Sequence, residues 1–146
     1  MKVFLVYILM SSLSYGADIS FVGPCEKEPV YSGELTSLEN ESVGAFSVRF
    51  LDDHGLEYVG AERGMNSIFN TPTGMDAMEI LSDREMMAYG WCYSVNGFSP
   101  EVFPDQVKIE DGDSVLWWFG FAHYIAGEWV TQCSLSYERH PDFLCR

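Results

Sequence analysis

Gly90–Phe121, GWCYSVNGFSPEVFPDQVKIEDGDSVLWWFGF, is the stretch whose reading decides the fold. Trp91, Tyr93 and Val95 alternate with Cys92, Ser94 and Asn96, the period-2 pattern of a half-buried strand. Asn96-Gly97 follows at once, and such a pair readily takes the positive φ of a tight turn. Val107-Lys108-Ile109 predicts a brief strand, and Asp111-Gly112-Asp113 a second turn. Val115-Leu116-Trp117-Trp118-Phe119 is apolar at every position. That strand is therefore either central in its sheet or carries a functional aromatic face.

Upstream, Phe46, Val48 and Phe50 alternate with Ser47 and Arg49, which predicts a strand. Asp52-Asp53-His54-Gly55 makes a turn, and Leu56 to Ala61 returns. A helix is expected from Thr73, because Thr73 and Asp76 resemble a capping box. Met75, Ala77, Met78 and Leu81 then lie at helical spacing, with Ser82-Asp83-Arg84-Glu85 at its end. Met86 and Met87 add to an adaptable methionine layer. The order strand, strand, helix, strand, short strand, strand is that of a β-grasp. The fold expected is α+β, a β-grasp-like mixed sheet of four to five strands wrapping one short helix, stapled by disulfides.

The same residues carry a family resemblance. Trp91, Tyr93, Val95, Asn96, Gly97, Asp111, Gly112, Asp113 and Trp117 fall in an order that resembles the transcobalamin-like C-terminal domain of secreted bacterial proteins. The resemblance covers about residues 42–122. It implies a β-grasp-related domain that binds a soluble ligand, such as a corrinoid or another flat organic molecule. In the cobalamin carriers a separate helical domain completes the pocket. A chain of 146 residues has no room for one, so a lone domain is expected to bind weakly or to need a partner chain.

The ends read differently. Lys2, the apolar run Val3–Met10 and the small residues Ser14 and Gly16 predict a signal peptide over 1–16, with no membrane insertion after cleavage. Residues 17–41 read as a loop-rich arm, with a short strand at Ile19–Val22 and a glycosylation sequon at Asn40-Glu41-Ser42. Residues 123–146 read as an extension with one edge strand near Trp129. The formal net charge of −14 argues against nucleic acid as a partner. The expected location is secreted or periplasmic. Cys25, Cys92, Cys133 and Cys145 are an even set behind a secretion signal, so two disulfides are expected. Four cysteines allow three connectivities. The expected pairs are Cys92 with Cys133, tying the C-terminal segment to the central strand, and Cys25 with Cys145, tying the two ends.

No catalytic constellation is legible. His54, His123 and His140 are scattered without ligand spacing, and no serine lies in a G-x-S-x-G turn. Asp52 and Asp53 beside His54, and Asp111 with Asp113, read as turn chemistry rather than metal ligands. Neither a catalytic residue, a metal nor a cofactor is expected. Aromatic density is the outstanding feature. Trp117, Phe119 and Phe121 share one strand face, while Trp118, Gly120 and Ala122 share the other. Trp118, with Tyr124 and Trp129 as a rim, would make a platform for a ligand, a glycan, a protein or a second copy of the chain. The alternative is that the C-terminal segment covers Trp118 through the Cys133 disulfide. The function expected is a secreted, non-enzymatic binding module for a soluble small molecule, or else a protein- or glycan-interaction module or homodimer.

Overall fold

A computed structural model describes residues 15–145. The expected signal peptide lies almost wholly outside the described residues. The chain forms β1 (Ala17–Val22), β2 (Tyr31–Leu35), α1 (Val43–Asp53), β3 (Tyr58–Ala61) and β4 (Gly64–Ile68). It continues through β5 (Met78–Ser82), β6 (Glu85–Val95), β7 (Ser114–Ile125) and β8 (Glu128–Leu135). The main sheet runs β2-β1-β7-β6-β5. β1 lies parallel to β7, and the other neighbours are antiparallel. Along one edge of β7, β1 pairs Ser114–Trp118 and β8 pairs Gly120–Ile125. β3 and β4 form a separate hairpin. The result is an α+β mixed sheet with one α-helix among the described residues and two disulfides.

Two elements depart from their sequence reading. Residues 46–50 are helical, not extended. Phe46 and Phe50, four apart, fit a strand face and a helix face equally well. The Ser42 hydroxyl decides, accepting the Ala45 amide at 3.0 Å as an N-cap. The buried set Val43, Phe46, Ser47, Phe50 and Leu51 then lies on one helical face. Conversely, the helix expected from Thr73 to Leu81 is a single 3₁₀ turn, Gly74–Ala77, followed by β5. Thr73 makes no capping bond, and Gly74 sits at φ +59, where the turn needs glycine. Asp83-Arg84 is the bend of a hairpin whose arms pair Met78–Ser82 with Glu85–Ala88. Cross-strand pairing outweighs a short apolar spacing. Of the methionine layer only Met87 is buried, and Met75 is largely exposed.

Smaller differences follow the same logic. Val107-Lys108-Ile109 is not a strand but one isolated bridge, Ser42 to Lys108. Its backbone takes the Val43 amide and gives the Ile109 amide to Glu41, bracketing the start of α1. The loop-rich reading of 17–41 understates that segment, which supplies β1 and β2. Ala17, Ile19 and Phe21 are fully buried against α1 and β7. The edge strand expected near Trp129 is β8.

One side of the sheet holds the core. Phe46, Phe50 and Leu51 of α1 pack with Ile19, Phe21, Val115 and Trp117. Trp91, Tyr93 and Val95 pack on this cluster, so their shared face meets a helix, but that helix is α1. Trp117 Nε1 donates to Ser47 Oγ at 2.9 Å, and Ser47 donates on to Val43 O at 2.7 Å. The indole proton is thereby satisfied in a dry place. Farther along, Met87, Tyr89 and Phe119 are covered by Leu144 and Phe143 of the C-terminal segment. Arg139 clamps that segment, reaching both Glu79 oxygens at 3.1 Å and the Tyr89 hydroxyl. Arg139 holds the Glu79 carboxyl below the usual carboxylate range. Burial, then the Glu79 bond, pushes the Tyr89 hydroxyl up to about 12. The disulfides are Cys25–Cys145 and Cys92–Cys133, as expected.

The two turns named first in the sequence are tied to each other. Asn96 and Gly97 both take positive φ. Asn96 Nδ2 donates to Asp113 Oδ1 at 2.8 Å, and Asn96 Oδ1 accepts the Ser114 amide at 2.9 Å. Asp113 Oδ2 accepts the Glu110 amide, while Asp111 accepts both the amide and the hydroxyl of Ser37. These carboxylates are spent on turn geometry.

Candidate functional site

The three residues singled out for a platform are not together. Trp118 is 7% exposed, and its indole donates to Cys133 O at 3.0 Å. The Cys92–Cys133 bond draws that carbonyl over it. This is the covered arrangement. Tyr124 lies six residues along β7, roughly 20 Å away at a strand's rise of about 3.3 Å per residue. Tyr124 and Trp129 do meet, edge to face, with ring centres 5.2 Å apart. Trp129 also borders a hollow of about 300 Å³ beside Gly90 and Gly120. At Gly120 a side chain would meet Ser134 O at 2.8 Å, so its bareness admits β8 rather than a ligand.

A larger opening lies on the far edge of β6. β5 pairs β6 only as far as Ala88, so among the described residues the strand beyond has an open side. The β3–β4 hairpin stands across from it, and the 99–104 loop closes one end. Between them is a cleft of about 760 Å³. Trp91, Tyr93, Met65, Val59, Val102 and Phe103 give it an apolar, largely aromatic lining. Val59 is 61% exposed and Phe103 49%, so apolar surface reaches the mouth.

Each wall is fixed by an identifiable bond. Trp91 Nε1 donates to Thr71 Oγ1 at 2.8 Å, and its ring meets Phe119 edge-on at 5.6 Å. Tyr93 lies against Trp117 at 5.4 Å and donates its hydroxyl to Val102 O at 2.7 Å, pinning the loop. Burial, and then the charge of Asp105, raise the Tyr93 hydroxyl above its usual range. Phe103 N donates to Gln106 Oε1 at 3.3 Å at the start of the turn Pro104–Gln106. Arg63, at the hairpin tip, lays its guanidinium 4.2 Å from the Phe103 ring centre. It is the cation of the cleft. Among the described residues no carboxylate lies within ion-pair reach of it.

Several titratable side chains elsewhere are occupied. His54 Nδ1 sits 2.8 Å from Phe50 O at the end of α1, and Asp52 accepts the Tyr58 hydroxyl. His123 pairs with Glu85 at 2.8 Å. Among the described residues Cys25, His140 and Cys145 are the group whose ligand atoms lie within 4.8 Å of one another. With the two cysteines joined, that group has no thiolate to offer a metal.

Sequence reading found Trp91 and Tyr93 but assigned them wholly to the core. It missed Met65, Val59, Arg63 and Phe103. Their signal was faint: a half-apolar return strand and one phenylalanine between two prolines. Only the hairpin's placement brings them to β6.

Comparison with known proteins places part of the chain. Residues 76–120, from the 3₁₀ turn to the middle of β7, match a family described as a domain of unknown function, DUF4430. That description gives no ligand and does not specify a transcobalamin-like family. No curated protein shows a sequence match. Among solved structures, the chain is similar to a candidate metal binding protein from Ruminococcus gnavus. The TM-score is 0.44 at 14% identity, covering 71% of this chain and 94% of that one. At that level the likeness assigns neither a fold family nor a ligand.

Proposed function

We propose that this protein is a secreted, non-enzymatic binding module whose ligand occupies the cleft between β6 and the β3–β4 hairpin. The observation that carries this reading is the cleft itself: about 760 Å³, lined by Trp91, Tyr93 and Met65, with Arg63 at its rim. Sites for soluble organic molecules have this size and this mixture of apolar wall and few polar groups. Arg63 favours a ligand with a negative group, because the rest of the surface is strongly acidic. Two disulfides fit an oxidising, extracytoplasmic setting. No helix of the described residues is long and apolar enough to cross a membrane. The finer expectation, a corrinoid-like flat molecule, would lay one face on the aromatic wall. In the same reading the sheet is β-grasp-like, with β1 parallel to β7 and α1 on one face.

Gly64 provides the test. It lines the cleft, and a side chain there would meet nothing within 4 Å. Gly64→Trp should fill the opening without disturbing its walls. The probe is anilinonaphthalene sulfonate, a flat anion, followed by its fluorescence. Wild type should bind it, and both Gly64→Trp and Arg63→Glu should weaken binding by about tenfold or more, roughly 1.4 kcal/mol. Equal binding by Gly64→Trp would show that the cleft is not the site. Retention of cyanocobalamin through dialysis would support the corrinoid reading.

A second surface favours the interaction reading. Trp129 and Val130 are 46% and 50% exposed on β8, with Tyr124 beside Trp129. This is the place for a protein, a glycan or a second copy. A dimer that dissociates on Trp129→Ser, seen by sedimentation, would support it.

A further inference from the structure

One bank of the cleft is a strand edge that carries no strand among the described residues. β7 occupies the inner edge of β6 from Glu85 to Val95, and β5 occupies the outer edge only from Glu85 to Ala88. The direction of the remaining backbone groups follows from two fixed points. Asn96 donates its amide to Ser114 O, on the β7 side. Val95 exchanges both its backbone bonds with Phe98, on the outer side. Backbone direction alternates along an antiparallel strand. Tyr93 and Trp91 therefore point their N–H and C=O groups outward, like Val95. Among the described residues no backbone bond reaches them there.

The opposite bank matches. Among the described residues β4 pairs only with β3, so its other edge also lacks a strand there. The cleft continues along β6 into an adjoining cavity of about 520 Å³ beside Tyr89 and Gly90. Val59, Met65, Asn66 and Trp91 border both. The whole is a groove parallel to a strand, not a round pocket. Open strand edges attract other strands. Here the hairpin and the 99–104 loop flank the edge. A flat ring would use the apolar walls and leave the backbone groups of Trp91 and Tyr93 without partners.

We infer that the ligand is an extended peptide that adds as a strand to β6 at Trp91 and Tyr93 and places a carboxylate at Arg63. The inference rests on the cleft being the binding site and names its ligand class. Main-chain bonds to the edge supply sequence-tolerant affinity, and alternate side chains meet the walls. Apolar, β-branched residues suit the wall of Val59, Met65 and Phe103. The carboxylate is selected because Arg63 has no acidic partner among the described residues and the surface around it is acidic.

The experiment uses the oxidised, secreted protein. The probe is a pool of acetylated, C-terminally amidated pentapeptides alternating Thr with Val, Ile or Leu and ending in Asp. Matched pools end in Lys or carry N-methyl groups on alternate amides. Hydrogen exchange by NMR reports the Trp91 and Tyr93 amides, and calorimetry reports binding. The Asp pool should slow both amides by about tenfold or more. The Lys pool should bind about tenfold more weakly, and Arg63→Glu should reverse that order. The N-methylated pool should leave both amides fast. Absence of slowing with the Asp pool at millimolar concentration overturns the peptide inference. So does binding that leaves the two amides unchanged. If the naphthalene probe is still lost in Gly64→Trp, the cleft reading survives and only the peptide falls. If Gly64→Trp affects neither ligand, the cleft reading falls first.

Discussion

A single carbonyl separates the two readings of Trp118. Its indole proton goes to Cys133 O, and that carbonyl is where it is because Cys133 is bonded to Cys92. The side chain is thus a packed one. Trp118→Ala should cost about 3–5 kcal/mol of stability, read as a lower melting temperature. Probe binding in the cleft should be unchanged at temperatures where the variant is folded. A variant that melts like wild type would return Trp118 to the surface. Asn96 is the opposite case, legible at the residue scale. A side chain that tolerates positive φ and carries both a donor and an acceptor suits a turn that must also hold its neighbour. The carboxylate of Asp113 was readable as turn chemistry for the same reason, although its bond to Asn96 was not.

At the scale of elements, α1 and the β3–β4 hairpin are set by their closest contact. A side chain at Gly44 would lie 1.7 Å from Glu62 O, at the hairpin tip beside Arg63. The bare glycine lets the hairpin sit down on the helix, and the cleft takes its width from that. Gly44→Ala should push the tip away, with an overpacking cost of about 1–3 kcal/mol. It should lower the melting temperature and weaken naphthalene-probe binding together, whereas Gly64→Ala, in open space, should change neither. Gly44→Ala with wild-type melting and binding would show that the hairpin yields freely. Gly44 itself is unremarkable in the sequence. Its neighbour Glu62 is eighteen positions away, and no local pattern links them. The same limit explains the two exchanged elements. Four apolar residues near Met78 and three near Val48 fit either period, and the choice between helix and strand falls to partners elsewhere.

Over the whole molecule the disulfides bound the chain. Cys25–Cys145 closes a separation of 120 residues and Cys92–Cys133 one of 41. Chain-entropy arguments give about 4 kcal/mol for the shorter loop and about 5 kcal/mol for the longer, against a total stability of about 5–15 kcal/mol for a domain. Thiol titration of the denatured, unreduced protein should find no free thiol. Reduction should lower the melting temperature steeply and release the C-terminal segment from Tyr89 and Phe119. Two or more free thiols in the native protein would remove that staple and open Cys25, His140 and Cys145 to metal.

By itself the sequence determined the period-2 strand around Trp91, the continuously apolar strand around Trp117, the two turns at Asn96-Gly97 and Asp111-Gly112-Asp113, the opposite faces of Trp117 and Trp118, and the even cysteine set. Each depends on near neighbours, where dihedral preference and side-chain alternation act directly. Only the tertiary structure decided that residues 46–50 are helical, that β1 enters beside β7, that the C-terminal segment covers Tyr89, and that the hairpin faces the open edge of β6. Those outcomes come from burial and backbone pairing between residues far apart in the chain. Such free energies exist only once the chain is closed, so no local stretch encodes them alone.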